Sequence, residues 1–98
     1  VSMESGGPGL LAESAPNPFV SSSSLSFSLP QPGLVRAAVY DVQGSIVRVL
    51  ADNYRAAGRY EIRWNGDDAR GRQAPAGVYF YRLETPSGRH TLKTTRLR

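Results

Sequence analysis

Residues 24–29 alternate strictly between serine and an apolar residue, and this pattern constrains the fold more than any other in the chain. Successive side chains of a β-strand point to opposite faces, so a period of two places Leu25, Phe27 and Leu29 on one face. Pro30 ends the strand because proline has no N–H to donate to a ladder. The segment is therefore predicted to be a strand that lays one face on a core.

The rest of the chain, from about residue 34, repeats this arrangement of short strands and polar turns. Glycine, proline, asparagine and aspartate separate the segments, and no segment shows the periodicity of a helix. Six or seven short strands with regular turns predict a two-sheet antiparallel sandwich. The predicted strands are residues 34–41, 46–50, 59–64, 78–83 and 91–97, with inner faces that include Val35, Ala37, Val39, Tyr60, Ile62 and Trp64.

Residues 1–16 differ from the rest because they are small, polar and interrupted by glycine and proline. They are predicted to be an N-terminal arm or linker, followed by a domain over residues 17–98. A short apolar patch lies inside the arm and predicts either a first edge strand or a segment that docks onto another copy: Leu10, Leu11 and Ala12. Because the chain starts with Val1, we expect a processed chain or a piece of a longer one.

Charge and cysteine content exclude several classes of function. The net charge is +4, but the 12 basic residues are spread out, and only clustered charge favours nucleic-acid binding. The absence of cysteine excludes a disulfide scaffold, a thiol nucleophile and a zinc–cysteine site. No stretch has the length of a membrane-spanning helix.

Candidate chemistry is sparse. Oxygen ligands for calcium could come from Asn65, Asp67, Asp68 and Asp41, but the spacing of a calcium loop with its bidentate glutamate is absent. His90 is the one histidine, no nucleophile motif lies near it, and it is expected to be solvated in a hairpin. We therefore expect no catalytic residue, no metal and no cofactor.

The aromatic residues allow two interpretations, a stacking platform for sugars or bases or a sandwich core. Trp64 is predicted to lie in the core because it shares its strand face with two other apolar residues. The assignment of the neighbouring aromatic run stays open between the two interpretations: Tyr79, Phe80 and Tyr81.

Several blocks, in this order, resemble a known family. They are Asn17-Pro18-Phe19 with residues 25–30, Val39-Tyr40-Asp41 with Gly44, residues 64–68 with Gly71, residues 76–83, and a basic last strand that ends at Arg98. The chain resembles the C-terminal domain that directs bacterial proteins through the type IX secretion system. It is also similar to the immunoglobulin-like domain of the flagellar hook-capping protein.

The resemblance implies an all-β, immunoglobulin-like antiparallel sandwich of six to seven short strands on an exported bacterial protein. That protein would be secreted or held at the cell surface. The implied partners are the secretion machinery and, for attachment, a surface glycolipid. The residues expected to act in recognition or sorting are Asn17, Pro18, Phe19, Lys93, Arg96 and Arg98. Turn chemistry offers a structural role for the first three, with the asparagine and proline setting a turn and the phenylalanine closing the end of the sandwich.

Two non-enzymatic functions follow. In the first, the chain is a secretion-sorting and surface-attachment domain. In the alternative, it is a self-assembling structural subunit of an extracellular filament or surface layer. Its N-terminal arm would then add as a strand to a neighbouring copy and form a homo-oligomer.

Overall fold

The computed structural model describes residues 3–4 and 11–97. Within them the chain forms strands and no helix, so no helix there could cross a membrane. The strands are β1 (Met3–Glu4), β2 (Leu11–Ala15), β3 (Ser23–Leu29), β4 (Gly33–Tyr40), β5 (Ile46–Arg55), β6 (Gly58–Trp64), β7 (Gly77–Thr85) and β8 (Gly88–Arg96).

The strands form two antiparallel sheets. The first sheet has the order β1-β2-β3-β6, and the second has the order β5-β4-β7-β8. Seven of the eight strands have five or more residues, and β1 is a two-residue pairing. The predicted immunoglobulin-like antiparallel β-sandwich is confirmed.

The core lies between the sheets and follows the predicted alternation. Every second residue of β3 is buried, as predicted, and the same period continues in β4, β6 and β7. Trp64 has no exposed surface and lies at the centre of the core's aromatic contacts. The large apolar members of the core are Phe19, Leu25, Phe27, Leu29, Val35, Val39, Ile62, Trp64, Tyr79, Tyr81 and Leu83.

Strand β5 extends five residues beyond the predicted 46–50. Its polar second half pairs with the start of β4, where Gly33 lies opposite Arg55. Two irregularities in the register, at Ala37/Ala38 and Val39/Tyr40, break the simple alternation. Such bulges increase the local twist of the strand. Strand β5 lies at the edge of its sheet, and much of it is exposed.

The second half of the expected N-terminal arm lies on the sandwich of its own chain. Strand β2 pairs with β3, from Ala12 opposite Phe27 to Ala15 opposite Ser24. Ala12 is buried in the core, and β2 lies in the sheet between the two-residue β1 and β3. Of the patch considered for assembly, Leu11 and Ala12 therefore belong to β2, whereas Leu10 lies outside the described residues.

The solvated position expected for His90 is wrong, because its side chain is buried. The hairpin between β7 and β8 is tight, with Thr85 paired to Gly88, so β8 begins three residues before the prediction. This register puts His90 directly opposite Leu83 on the core side. Burial penalises the imidazolium and lowers the pKa of His90.

Candidate functional site

The predicted recognition residues at the two ends of the domain meet along the edge of β8. The Asn17 side chain donates to the carbonyl of Lys93 (3.0 Å) and accepts from the N–H of Thr95 (3.0 Å). Phe19 donates its N–H to the carbonyl of Thr95 (2.9 Å) and accepts from the N–H of Leu97 (2.8 Å). The segment 17–19 thus covers the edge of the last strand, whose backbone groups would otherwise be unpaired.

Phe19 closes one end of the sandwich. Its ring meets Trp64 edge to face at 5.5 Å, and Trp64 in turn contacts Tyr79 at 5.1 Å. The Trp64 indole N–H donates to the carbonyl of Asp67 at 2.8 Å, which ties the following loop to the core. Buried aromatic side chains contribute much of the stability of a small domain. The structural role expected for Phe19 therefore has a direct geometric basis.

Arg96 is buried at the end of the sandwich that Phe19 closes, with 5% of its surface exposed. Its guanidinium lies 5.9 Å from the centre of the Phe19 ring, and Nη2 donates to Gln73 Oε1 at 2.5 Å. A Cβ on Gly66 would stand 1.6 Å from Arg96 Nη1, and Gly66 has a φ of 74°. Only glycine fits there, because the loop backbone passes directly over the guanidinium.

The acidic residues weighed as calcium ligands are engaged within the protein. Asp41 Oδ1 accepts from two N–H groups of its own turn. Asp67 pairs with Arg48 at 3.2 Å. Asp68 accepts the backbone N–H groups of Arg72 and Arg70, and these hydrogen bonds, first that of Arg72, lower the pKa of Asp68. In the described part of the chain, no three histidine or acidic side chains are grouped to hold a metal ion.

The aromatic run divides between the two faces of β7. Tyr79 and Tyr81 are buried, and burial raises the pKa of both phenols. The Tyr81 hydroxyl hydrogen-bonds Ser23 of the other sheet, which links the two layers. Phe80 points outward and is half-buried. A platform formed by all the aromatic residues together is therefore wrong.

A protein-family model matches most of the chain. The family model of the FlgD Ig-like domain matches residues 17–92, from the asparagine of the edge segment to the middle of β8. The chain belongs to the FlgD immunoglobulin-like domain family. A search of curated proteins gives no match.

Solved structures extend the comparison of this FlgD-type domain. It is similar to PorU of Porphyromonas gingivalis, described as latent and dimeric, with a TM-score of 0.70, 22% identity and 90% of this chain covered. It is also similar to FlgD of P. aeruginosa, with a TM-score of 0.60, 25% identity, and coverage of 95% of this chain and 77% of FlgD. The chain spans 9% of the length of PorU, so that similarity concerns the fold.

A third similar structure is PorZ of P. gingivalis, described as an essential surface component of the type IX secretion system. The TM-score is 0.55 at 14% identity, over 100% of this chain and 16% of PorZ. The FlgD-type fold is thus shared by proteins of flagellar hook capping and of type IX secretion.

Within this FlgD-type domain, the predicted site residues fall into three groups. Asn17, Phe19 and Arg96 come together at the closed end. Pro18 and Lys93 are exposed at its surface. Arg98 lies outside the described residues.

Sequence reasoning missed the two residues that enclose Arg96, namely Gly66 and Gln73. An Asn-Gly pair marks a turn, and Gly66 lies in one of the blocks that resemble the family, but neither signal places it against Arg96. Nothing local marks Gln73, since its contact spans 23 residues of sequence. The closed end therefore contains hydrogen bonds, stacked rings and a buried cation, and among the described residues it places no nucleophile beside a base.

Proposed function

We propose that this domain is a non-enzymatic sorting and surface-attachment module of an exported bacterial protein, read by the outer-membrane machinery as a folded unit. The observation that carries the proposal is the joining of Asn17–Phe19 to the end of β8. Blocks from the two ends of the domain, which carry the family resemblance, thereby form one surface. A receptor can read such a surface only while the sandwich is closed.

The contributions of the five recognition residues that the structure describes then differ. Phe19 and Arg96 are buried and act through the shape of the closed end. Asn17 holds the edge segment in place, whereas Pro18 and Lys93 are exposed and available for direct contact. The similarity in fold to PorU and PorZ supports this role, since PorZ is described as a surface component of type IX secretion.

A reporter fusion in a bacterium with the type IX machinery tests the proposal. Residues 1–98 are fused behind an exported fluorescent protein, and fluorescence on intact cells is compared with fluorescence in the periplasm. We expect surface fluorescence for the wild type, less for Lys93→Gln, and no change for Arg59→Gln, which removes an exposed cation from the other sheet. A wild-type reporter that stays in the periplasm would contradict the proposal.

The alternative, assembly through strand addition by the N-terminal arm, has less support from the geometry. Residues 12–15 already pair with β3 of the same chain, so adding them to another copy would first break that ladder. Size-exclusion chromatography with light scattering measures the oligomeric state and so tests this alternative. A concentrated full chain that forms oligomers, when a chain lacking residues 1–10 does not, would favour assembly over sorting.

A further inference from the structure

The outer face of the second sheet carries an exposed apolar stripe along β4 and β5. Leu34 lies opposite Tyr54, and Tyr40 lies opposite Ile46, so these side chains share the solvent side of the sheet. More than half of the surface of Leu34, Tyr54 and Ile46 is exposed. Single exposed apolar residues are ordinary, whereas groups of them mark interaction surfaces. The ion pair of Arg36 and Asp52 divides this stripe into a Leu34–Tyr54 part and a Tyr40–Ile46 part, and the second part adjoins β7.

Two cations lie beside this stripe, on β7 and β8. The Arg82 guanidinium lies 4.3 Å from the centre of the Tyr40 ring, and its Nε is buried without a hydrogen-bond partner among the described residues. Lys93 is exposed and stands opposite Phe80, while Thr91 stands opposite Arg82. Arg82 and Lys93 are therefore diagonal neighbours, roughly 7–8 Å apart, and both can reach one carboxylate.

The carboxylates of this face are already committed elsewhere. Asp52 pairs with Arg36 at 3.9 Å, and Glu84 pairs with Arg89 at 3.2 Å. Asp41 is occupied by the N–H groups of its turn. In the part of the chain that the structure describes, no ion pair involves either of the two cations. Among the described residues, Asp41 is the one acidic residue that lines a depression beside Arg82, so the two cations outnumber the carboxylates there.

This depression of about 250 Å³ lies beside the stacked side chains of Tyr40 and Arg82, and Lys93 stands next to it, opposite Phe80. The depression is lined by Tyr40, Phe80, Arg82, Thr91 and the turn of residues 41–44. Pockets for small molecules usually measure about 300–1,000 Å³ and enclose the ligand. The depression is smaller than that and open, which suits one or two side chains of a partner protein.

The outer face of the first sheet provides the contrast. Its central strand presents serines, and the flanking strands present equal numbers of acids and bases: Glu13, Glu61, Arg59 and Arg63. Among the described residues, that face has neither an apolar stripe nor a surplus of charge. Aromatic residues and arginine are enriched in protein interfaces, and within the described part of the chain only the second sheet offers both beside exposed aliphatic side chains.

We propose that the outer face of the second sheet docks an extended segment of a partner protein. A carboxylate of that segment lies between Arg82 and Lys93, and an apolar side chain two residues away packs on Tyr40 and Ile46. The aliphatic rim favours a protein partner over a carbohydrate. This docking surface shares Lys93 with the sorting proposal, but it requires only the folded sandwich and is tested without the secretion machinery.

A titration with a defined peptide tests the docking surface. The probe is the blocked peptide Asp-Ser-Leu-Ser-Asp-Ser-Leu, which as a strand puts aspartate and leucine on the same face. It is added to the full isotope-labelled chain and followed by NMR. We expect saturable shifts at Tyr40, Phe80, Arg82 and Lys93, and no binding of the same peptide with asparagine for aspartate.

Two matched variants sharpen the titration. Arg82→Gln is expected to weaken binding about three- to fivefold, the size of an exposed ion pair, whereas Arg63→Gln on the first sheet leaves it unchanged. The dispersion of the NMR spectrum checks that both variants are folded. The proposal is overturned by equal binding of the asparagine peptide, by equal effects of the two variants, by the absence of saturable shifts, or by tighter binding of polyglucuronate than of the peptide.

Discussion

The two faces of β8 differ more than its basic sequence suggests. Toward the core the strand directs His90, Leu92, Thr94 and Arg96, and toward solvent it directs Arg89, Thr91, Lys93 and Thr95. Lys93 and Arg96 are three residues apart, and an odd spacing in a strand puts them on opposite faces. The inner arginine belongs to the closed end, whereas the outer lysine belongs to the docking surface.

One basic strand can therefore contribute to stability through its inner side chains and to binding through its outer side chains. Arg96 is enclosed by a ring, a loop backbone and Gln73, so its removal should act on folding. Lys93 touches no acidic group among the described residues, so its removal should act on binding. The predictions below test this separation of the inner row from the outer row.

The largest effect is expected for Phe19→Ala, at the closed end. Deleting a buried phenylalanine side chain costs about 3–5 kcal/mol of unfolding free energy, because it loses packing and leaves a cavity. Phe80→Ala, on the outer face, is the matched control and should cost about 1 kcal/mol. Urea unfolding followed by Trp64 fluorescence measures both, and equal costs would contradict the assigned positions of the two rings.

Gly66→Ala should have the next largest effect, about 3 kcal/mol. About 1–2 kcal/mol comes from placing a side chain at a positive φ, and the rest from displacing the buried Arg96 guanidinium. Gly44→Ala isolates the first contribution, since its φ is 84° and a Cβ there would meet nothing within 4 Å. Similar midpoints in urea for the two variants would show that the loop does not enclose Arg96.

A pH dependence is expected from His90, in the inner row. Burial lowers its pKa in the folded state below the ordinary value of 6.5, so the unfolded chain takes up the proton first. Stability is therefore full above about pH 6.5 and falls as the pH drops from there toward the lower folded pKa. The difference between the urea midpoints at pH 7.5 and at pH 5.0 should be smaller for His90→Gln than for the wild type. An unchanged difference would show that other titratable groups cause the loss of stability at low pH.

The alternation in β3, β4 and β6 was sufficient to predict the sandwich and most of its core. Strict alternation of small polar and large apolar residues has one solution, a strand with one buried face. Strand β2 was harder to assign because Ala12 is small and the residues that follow it, Glu13 and Ser14, are polar. The second half of β5 was missed for a similar reason, since its mostly polar and exposed residues give no alternating apolar pattern.

The closed end could be predicted only in part. Turn chemistry and the position of Phe19 indicated a plug at the end of the sandwich, and the structure places the ring there. The burial of His90 and Arg96 depends on the register that the hairpin at Thr85 and Gly88 sets for β8. The burial of Arg96 also depends on the loop at Gly66, some 30 residues away in sequence. Neither the register nor this loop can be predicted from the local sequence of β8.

Arg96 is expected to stabilise the folded domain, whereas Lys93 is expected to act in binding at the surface and to contribute little to stability. Equilibrium unfolding in urea of Arg96→Ala and Lys93→Ala tests this difference most directly. We expect Arg96→Ala to lose about 3 kcal/mol, because it removes buried packing and leaves Gln73 without its partner, and Lys93→Ala to remain within about 0.5 kcal/mol of the wild type. Equal losses, or a wild-type stability for Arg96→Ala, would contradict the account.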